Sequence, residues 1–192
     1  EKISYKHANL IVGTMSNLKE HVSNIDKLSA SKVIHLPIGY DKDLDVNESM
    51  NLENIKEKIK NKFVVGYIGS FGTSQATDII FETIKELENN NKIFFVLVGD
   101  GPDKEKGLSL VNSCSNYLSF PYSDPRFLNN YFALCDVMLN TWKSKDLYRY
   151  GVSPNKWIEY MKNSKPFIVC LDHKESLLNK SQCAYYVKSE DT

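Results

Sequence analysis

Most apolar residues of this chain fall in short unbroken runs rather than in alternation with polar ones. From Val64 onward such runs occupy Val64–Gly69, Ile93–Val98, Tyr117–Phe120, Val137–Asn140, Phe167–Leu171 and Ala184–Val187, each the length of a strand. Unbroken runs mark strands covered on both faces, as in a parallel sheet. Between them the apolar spacing changes to a helical period, which predicts helices over Ala76–Asn89, Lys104–Ser113, Asp124–Leu134, Pro154–Asn163 and Glu175–Lys180. The stripe Ile80, Ile84 and Leu87 on the first of these packs on the sheet. Strands alternating with helices predict an α/β fold with a doubly wound, Rossmann-like parallel sheet, whose ligands bind at the carboxyl ends of the strands.

The first sixty residues follow a different pattern. Ala8–Gly13 reads as a strand, Ser16–Leu28 as a helix and Lys32–Leu36 as a second strand, which runs into Pro37-Ile-Gly-Tyr-Asp41. The acidic, asparagine-rich stretch Asp41–Asn51 has few core formers and reads as linker. The acidic pairs in Asp41–Asp45 and Glu53–Glu57 suit solvated linker and helix faces. The expected division is a small unit over 1–40, a linker over 41–61 and the main domain over 62–192. There is no internal repeat and no low-complexity tract.

Composition narrows the function classes. Lysine plus arginine and aspartate plus glutamate both total 24, with nine of each sign up to Asn61 and fifteen of each after it. Neither part is a basic patch, so charge gives no support for nucleic-acid binding. No apolar run approaches the roughly 18–20 residues that span a bilayer, and none reads as a signal peptide. Cys114, Cys135, Cys170 and Cys183 lack metal-type spacing and read as core thiols of a reduced, cytosolic chain. His7, His21, His35 and His173 are scattered, with no second histidine at ligand spacing, which argues against a metal site. There is no P-loop and no Gly-x-Ser-x-Gly.

The densest chemistry lies between Tyr148 and Pro166. A loop through Arg149 and Gly151 leads to Ser153, a good N-cap, and Pro154, which suits the first helical position. Lys156 and Glu159 then share one helix face. A helix start offers free N–H groups and partial positive charge to an anion, and Lys156 adds a full charge. Glu159 suits the paired hydroxyls of a sugar. Together these residues fit a nucleoside diphosphate with its ribose.

The segment Gly151-Val-Ser-Pro-Asn-Lys-Trp-Ile-Glu-Tyr-Met161, with Lys165-Pro166 and the apolar Phe167–Leu171, closely resembles the donor-site segment of the group 1 glycosyltransferases. These are retaining enzymes of glycosyltransferase family 4 with the GT-B fold, and the form Tyr148-Arg-Tyr-Gly-x-Ser-Pro-Asn-Lys156 resembles a subgroup acting in cell-surface polysaccharide synthesis. The resemblance implies the C-terminal, donor-binding half of a GT-B fold. It also implies a remnant of the acceptor domain, with most of that domain and the closing helices missing. The chain opens on Glu1 without an initiator methionine and stops at Glu190-Asp-Thr192, as expected of such a fragment. Also implied are a nucleotide-sugar donor, UDP-linked, a glycan or lipid-linked acceptor, no metal and no cofactor. Such enzymes are cytoplasmic and attach peripherally to the inner membrane face, through parts expected to be missing here.

The site residues carried over from the resemblance begin at the glycine-containing turn Gly69-Ser70-Phe71-Gly72. Many relatives hold the donor diphosphate there with an arginine and a lysine, and this chain has Ser70 and Gln75 instead. Diphosphate binding then falls to backbone amides, Lys156 and Arg149, with Ser153, Pro154 and Asn155 forming the helix start. A second departure lies in the family's paired glutamates, separated by seven residues. Glu159 matches the later one, which is expected to hold the ribose, and Gly151 stands at the earlier one. No catalytic nucleophile is therefore assigned.

Gly99-Asp-Gly-Pro102 reads either as the family's Gly-x-Gly turn or as a plain tight turn. Tyr122, after the third strand of the main domain, is placed to stack on a base or is simply an exposed loop tyrosine. Arg149 pairs with a phosphate or packs between Tyr148 and Tyr150. Asp172-His173 reads as a turn. The expected function is nucleotide-sugar-dependent glycosyl transfer by the longer enzyme, with the fragment inert alone. The alternatives are a non-catalytic nucleotide- or partner-binding domain, a sugar-nucleotide epimerase of similar fold, and an unrelated α/β module.

Overall fold

A computed structural model describes residues 1–40, 48–172 and 176–189. In chain order the elements are α1 (Lys2–His7), β1 (Ile11–Gly13), α2 (Leu18–Ile25), β2 (Val33–His35), α3 (Glu53–Lys58), β3 (Phe63–Ile68), α4 (Thr77–Glu86) and β4 (Ile93–Val98). They continue with α5 (Lys104–Leu110), β5 (Tyr117–Phe120), α6 (Leu128–Leu134), β6 (Val137–Thr141), α7 (Asn155–Lys162), β7 (Phe167–Cys170), α8 (Ser176–Ser181) and β8 (Ala184–Val187).

The six strands from β3 onward form one parallel sheet in the order β5-β4-β3-β6-β7-β8. This is the doubly wound order, in which the chain builds outward from β3 to one edge and then returns through α6 to build outward from β6. The unbroken apolar runs follow directly from burial on both faces. Along β4, Phe94, Val96 and Val98 join the core under α6, α7 and α8, while Phe95 and Leu97 join the core under α4 and α5. The first core holds Phe132, Trp157, Tyr160, Phe167 and Leu178, and the second holds Phe71, Ile80, Phe81 and Ile84. On the α4 side an apolar groove of about 350 Å³ runs over Val137, Leu139, Ile168 and Val187.

One polar residue is fully buried at the centre of the larger core. Asn140 of β6 accepts hydrogen bonds at Oδ1 from the indole nitrogens of Trp157, at 2.6 Å, and Trp142, at 2.7 Å. An indole N–H only donates, so these two bonds fix the orientation of the amide. They tie the end of β6 to the first turn of α7.

The first forty residues fold as a small unit with a two-stranded parallel sheet, in which Ile11 pairs with Val33 and Val12 with Ile34. It has its own cluster of Ile11, Leu18 and Val22. The unit is joined to the main domain through α2. Asn17 donates from its backbone to the Tyr150 carbonyl at 2.9 Å and from its side chain to the Arg149 carbonyl at 3.3 Å, while Asn24 donates to the Tyr150 hydroxyl at 3.1 Å.

The sequence reading needs several corrections. Helix α7 begins at Asn155, with Pro154 extended at the N-cap and no side-chain cap bond, so Ser153 is not the N-cap and Pro154 is not the first helical residue. The expected helix over Asp124–Leu134 starts as a 3-10 turn, Pro125–Phe127, capped by Asp124, and becomes α-helical only at Leu128. The helix expected over Ser16–Leu28 ends at Ile25 and gives way to a 3-10 turn, Lys27–Lys32. Helix α1 was not read from the sequence. Within the stretch expected as linker, residues 41–47 lie outside the described residues; the rest holds α3, whose flanking Leu52 and Ile59 are buried in the larger core. His173, Glu175 and the terminal Glu190-Asp-Thr192 also lie outside the described residues. The four cysteines are free thiols, Cys135 and Cys170 being buried.

Replacing Asn140 with leucine is expected to cost about 2–4 kcal/mol in urea denaturation, because two indole N–H groups lose their acceptor. Adding Trp142→Phe should recover part of that loss.

Candidate donor site

The reversal of strand order between β3 and β6 opens a crevice at their carboxyl ends, and the turn Gly69–Gln75 lies across it. The turn is anchored from both sides. Gly69 donates to the Val98 carbonyl and Phe71 to the Asp100 carbonyl, both at 2.9 Å, which ties it to the end of β4. On the β6 side the Thr141 hydroxyl donates to the Gln75 carbonyl, and the Lys143 backbone N–H donates to the Ser74 carbonyl at 3.3 Å. Two glycines make the crossing feasible. A β-carbon on Gly99 would run into the Gly69 carbonyl oxygen, and one on Gly69 would run into the Lys156 side chain.

Lys156 enters this turn from α7. Its Nζ donates to the Tyr67 hydroxyl at 3.0 Å and to Gln75 Oε1 at 3.2 Å, and lies 4.3 Å from the Tyr67 ring centroid. Tyr67 in turn donates to the Ser70 carbonyl at 2.6 Å. Burial pushes the Lys156 ammonium down from its ordinary value to about 7. Burial also pushes the Tyr67 phenol up, so it remains a neutral donor.

Next to the turn is a cavity of about 250 Å³ lined by Gly69, Ser70, Gly99, Asp100, Tyr122 and Leu128, among others. It faces the carboxyl ends of β3, β4 and β5, and Tyr122 is 70 % exposed at its rim. Lys104 joins the ends of β4 and β5, donating its Nζ to the Gly99 carbonyl at 2.6 Å and the Phe120 carbonyl at 2.7 Å. A second, smaller recess lies between the small sheet and α7. It is lined by Thr14, His35, Pro37, Ser153 and Pro154 among others. There His35 Nε2 lies 3.2 Å from the Thr14 carbonyl oxygen.

The structure thus gathers Gly69, Ser70, Gly72, Gln75 and Lys156 around one turn and places Tyr122 at the adjoining cavity. Asn155 is exposed at the α7 start, next to Ser153 and Pro154 of the second recess. Glu159, one turn along α7, has Lys162 3.8 Å away. Arg149 stands apart from this group, as it donates to the Tyr150 hydroxyl at 2.6 Å and stacks on that ring at 4.8 Å, on the side where α2 docks. Gly151 is buried with a φ of +108°. Tyr67, Lys104 and Thr141 were not singled out in the sequence. Tyr67 and Thr141 lie within or next to an apolar run and Lys104 at a helix start, and the only signal was a polar group near the carboxyl end of a strand or the start of the next helix.

The family model described as glycosyl transferases, group 1, matches residues 62–192. No curated protein matches the chain. Among solved structures, HepE of Anabaena in complex with UDP and glucose superposes with a TM-score of 0.64 at 13% identity, over 98% of this chain and 52% of HepE. WaaG, a glycosyltransferase involved in lipopolysaccharide biosynthesis, gives 0.68 at 13% identity, over 94% of this chain and 50% of WaaG. A TarM variant of S. aureus, in complex with Fondaparinux, alpha-GlcNAc-glycerol and UDP, gives 0.68 at 12% identity, over 99% of this chain and 36% of TarM. The chain spans about half the length of HepE and WaaG. At these identities the likeness is one of fold.

The lowered Lys156 value has a measurable consequence. Between about pH 7 and 10 the unfolded chain keeps a proton on this lysine that the folded chain has lost. The unfolded state then binds more protons, so stability rises with pH across that window, by at most about 1.4 kcal/mol per unit. Relative to a Lys156→Met variant, the wild type should gain stability from pH 7 to pH 10 in denaturant titrations. It should show no such trend below pH 6, where both states are protonated.

Proposed function

Given that the chain belongs to the group 1 glycosyl transferases, we propose that its main domain holds the nucleoside diphosphate of a UDP-linked sugar donor in the crevice between β3 and β6. The observation that carries this reading is the Lys156 ammonium, held at the Gly69–Gly72 turn by uncharged partners only. An anion is the ligand such a site lacks. UDP as the nucleotide is favoured by the fold likeness to HepE and TarM, whose complexes contain it.

In this reading the diphosphate lies at the turn and the α7 start, where Lys156 and backbone amides meet the charge that grows as the glycosidic bond breaks. The base occupies the 250 Å³ cavity with Tyr122 at its rim, and Glu159 receives the ribose hydroxyls. The acceptor, a glycan or lipid-linked glycan of a cell-surface polysaccharide or glycolipid, approaches through the recess between the small sheet and α7. Transfer proceeds with retention and without a metal, in keeping with the resemblance of the Ser153–Lys156 segment. The 192-residue chain is assigned donor binding without turnover, since the acceptor side needs a second wall. Among the described residues no helix is long and apolar enough to cross a membrane, and peripheral attachment to the inner membrane face is part of the proposal.

Calorimetric titration with UDP, UDP-GlcNAc and GDP tests the reading. UDP and its sugar should bind more tightly than GDP. Lys156→Ala should weaken UDP binding by roughly 10–100-fold, the worth of a hydrogen bond to a charged group, and combining it with Glu159→Ala should weaken it further. A well-folded protein that binds none of the three would refute the donor-site assignment.

A further inference from the structure

The partners of Lys156 come from two sides of the crevice. Tyr67 belongs to β3, and its hydroxyl accepts from the ammonium while donating to the Ser70 carbonyl, so a single phenol couples the lysine to the turn. Gln75 lies at the far end of the same turn and is pinned through its own carbonyl by Thr141 of β6. Two of the three ammonium N–H groups are thereby directed at fixed neutral oxygens. Neither acceptor is a carboxylate. Here the acceptors set the position of the nitrogen and leave its charge uncompensated.

We propose that Tyr67 and Gln75 are positioning residues of the donor site, holding the Lys156 nitrogen in place without neutralising it, so that the site takes up a proton as the diphosphate arrives. This rests on the donor-site reading above. The proton comes from solvent and converts the lysine amine to the ammonium that pairs with phosphate. No charged neighbour supplies an alternative partner among the described residues. From β3 the titratable group is Tyr67 itself. On α7, Glu159 has Lys162 at 3.8 Å and Tyr160 donates to the Leu139 carbonyl at 3.0 Å. After β6, Lys145 donates to the Ser74 hydroxyl at 3.4 Å and Lys143 has Asp78 at 4.0 Å; beyond the turn, Asp100 accepts from the Gly101 backbone at 2.9 Å, and Lys104 spends its ammonium on the Gly99 and Phe120 carbonyls.

The test is calorimetric titration of the 192-residue chain with UDP at pH 8, in two buffers of different ionisation enthalpy. At that pH the phosphates are fully ionised, since their second pKa is about 6, so proton uptake reports the protein. With the lysine near 7 when free, the wild type should take up close to 0.9 proton per UDP, an estimate of about one group. Gln75→Glu is nearly isosteric and sets a carboxylate beside the nitrogen. It should bring uptake close to zero and weaken UDP at least about tenfold, because the lysine is then charged and paired before the ligand comes. Tyr67→Phe should weaken UDP by about tenfold while keeping the wild-type circular dichroism and lowering the thermal midpoint by only a few degrees.

UDP binding by the wild type without proton uptake, or uptake unchanged in Gln75→Glu, would overturn the positioning role while leaving the donor site standing. Affinity unchanged in Tyr67→Phe would remove Tyr67 from it. Absence of UDP binding at any pH would defeat the donor-site reading and this one together.

Discussion

The crevice exists because the chain leaves β3 toward one edge of the sheet and leaves β6 toward the other. No helix can cover the carboxyl ends where the two directions diverge, so the turn after β3 must cross the gap itself. That single topological constraint explains the close approach of Gly69 to Gly99, the anchoring of the turn to both β4 and β6, and the access given to a side chain from α7. Asn140 serves the same geometry from below, fixing α7 against the end of β6 through two indoles. The site is therefore a property of the sheet's order before it is a property of any one residue.

Against that frame Lys156 is an electrostatic liability. The helix start beside it is partly positive, its side chain is half-buried, and its acceptors carry no charge. Such an arrangement weakens the empty protein and favours the occupied one, which is the usual sign of a binding group rather than a structural one. The group 1 pattern supplies cations from the turn at the positions of Ser70 and Gln75. In this chain the cation comes from the helix, and the turn provides an acceptor to hold it.

The sheet was legible in the sequence because parallel strands leave an unambiguous mark: residues such as Phe94 and Phe95 face opposite sides and both are buried, so the run is unbroken. The helix ends were less legible. Ser153-Pro154 carries two start signals, yet proline's fixed φ suits an extended N-cap as well as a first helical turn, and the chain adopts the former. Helix α3 was legible only through its charged face over Glu53–Glu57, while Leu52, Ile55 and Ile59 carry it into the larger core. Lys156 could be singled out from its place in the segment, whereas Tyr67 could not. A tyrosine inside an apolar run looks like any core residue until the direction of its hydroxyl is known. Arg149 was open to two readings, a phosphate partner or a cation packed between Tyr148 and Tyr150, and its stacking on Tyr150 follows the second.

Gly151 stands where the group 1 pattern carries the earlier of its two glutamates. In this fold it is more than a missing side chain, since the residue ends a 3-10 turn with a φ of +108°, a conformation closed in practice to anything with a β-carbon. Its neighbour Tyr150 is meanwhile committed to Asn17 and Asn24 of the small unit. A single mutation could restore the carboxylate to the sequence without restoring it to the site, because the loop would first have to be rebuilt and α2 undocked. The backbone thus reserves position 151 for glycine, so a carboxylate near this loop has to be supplied by another element.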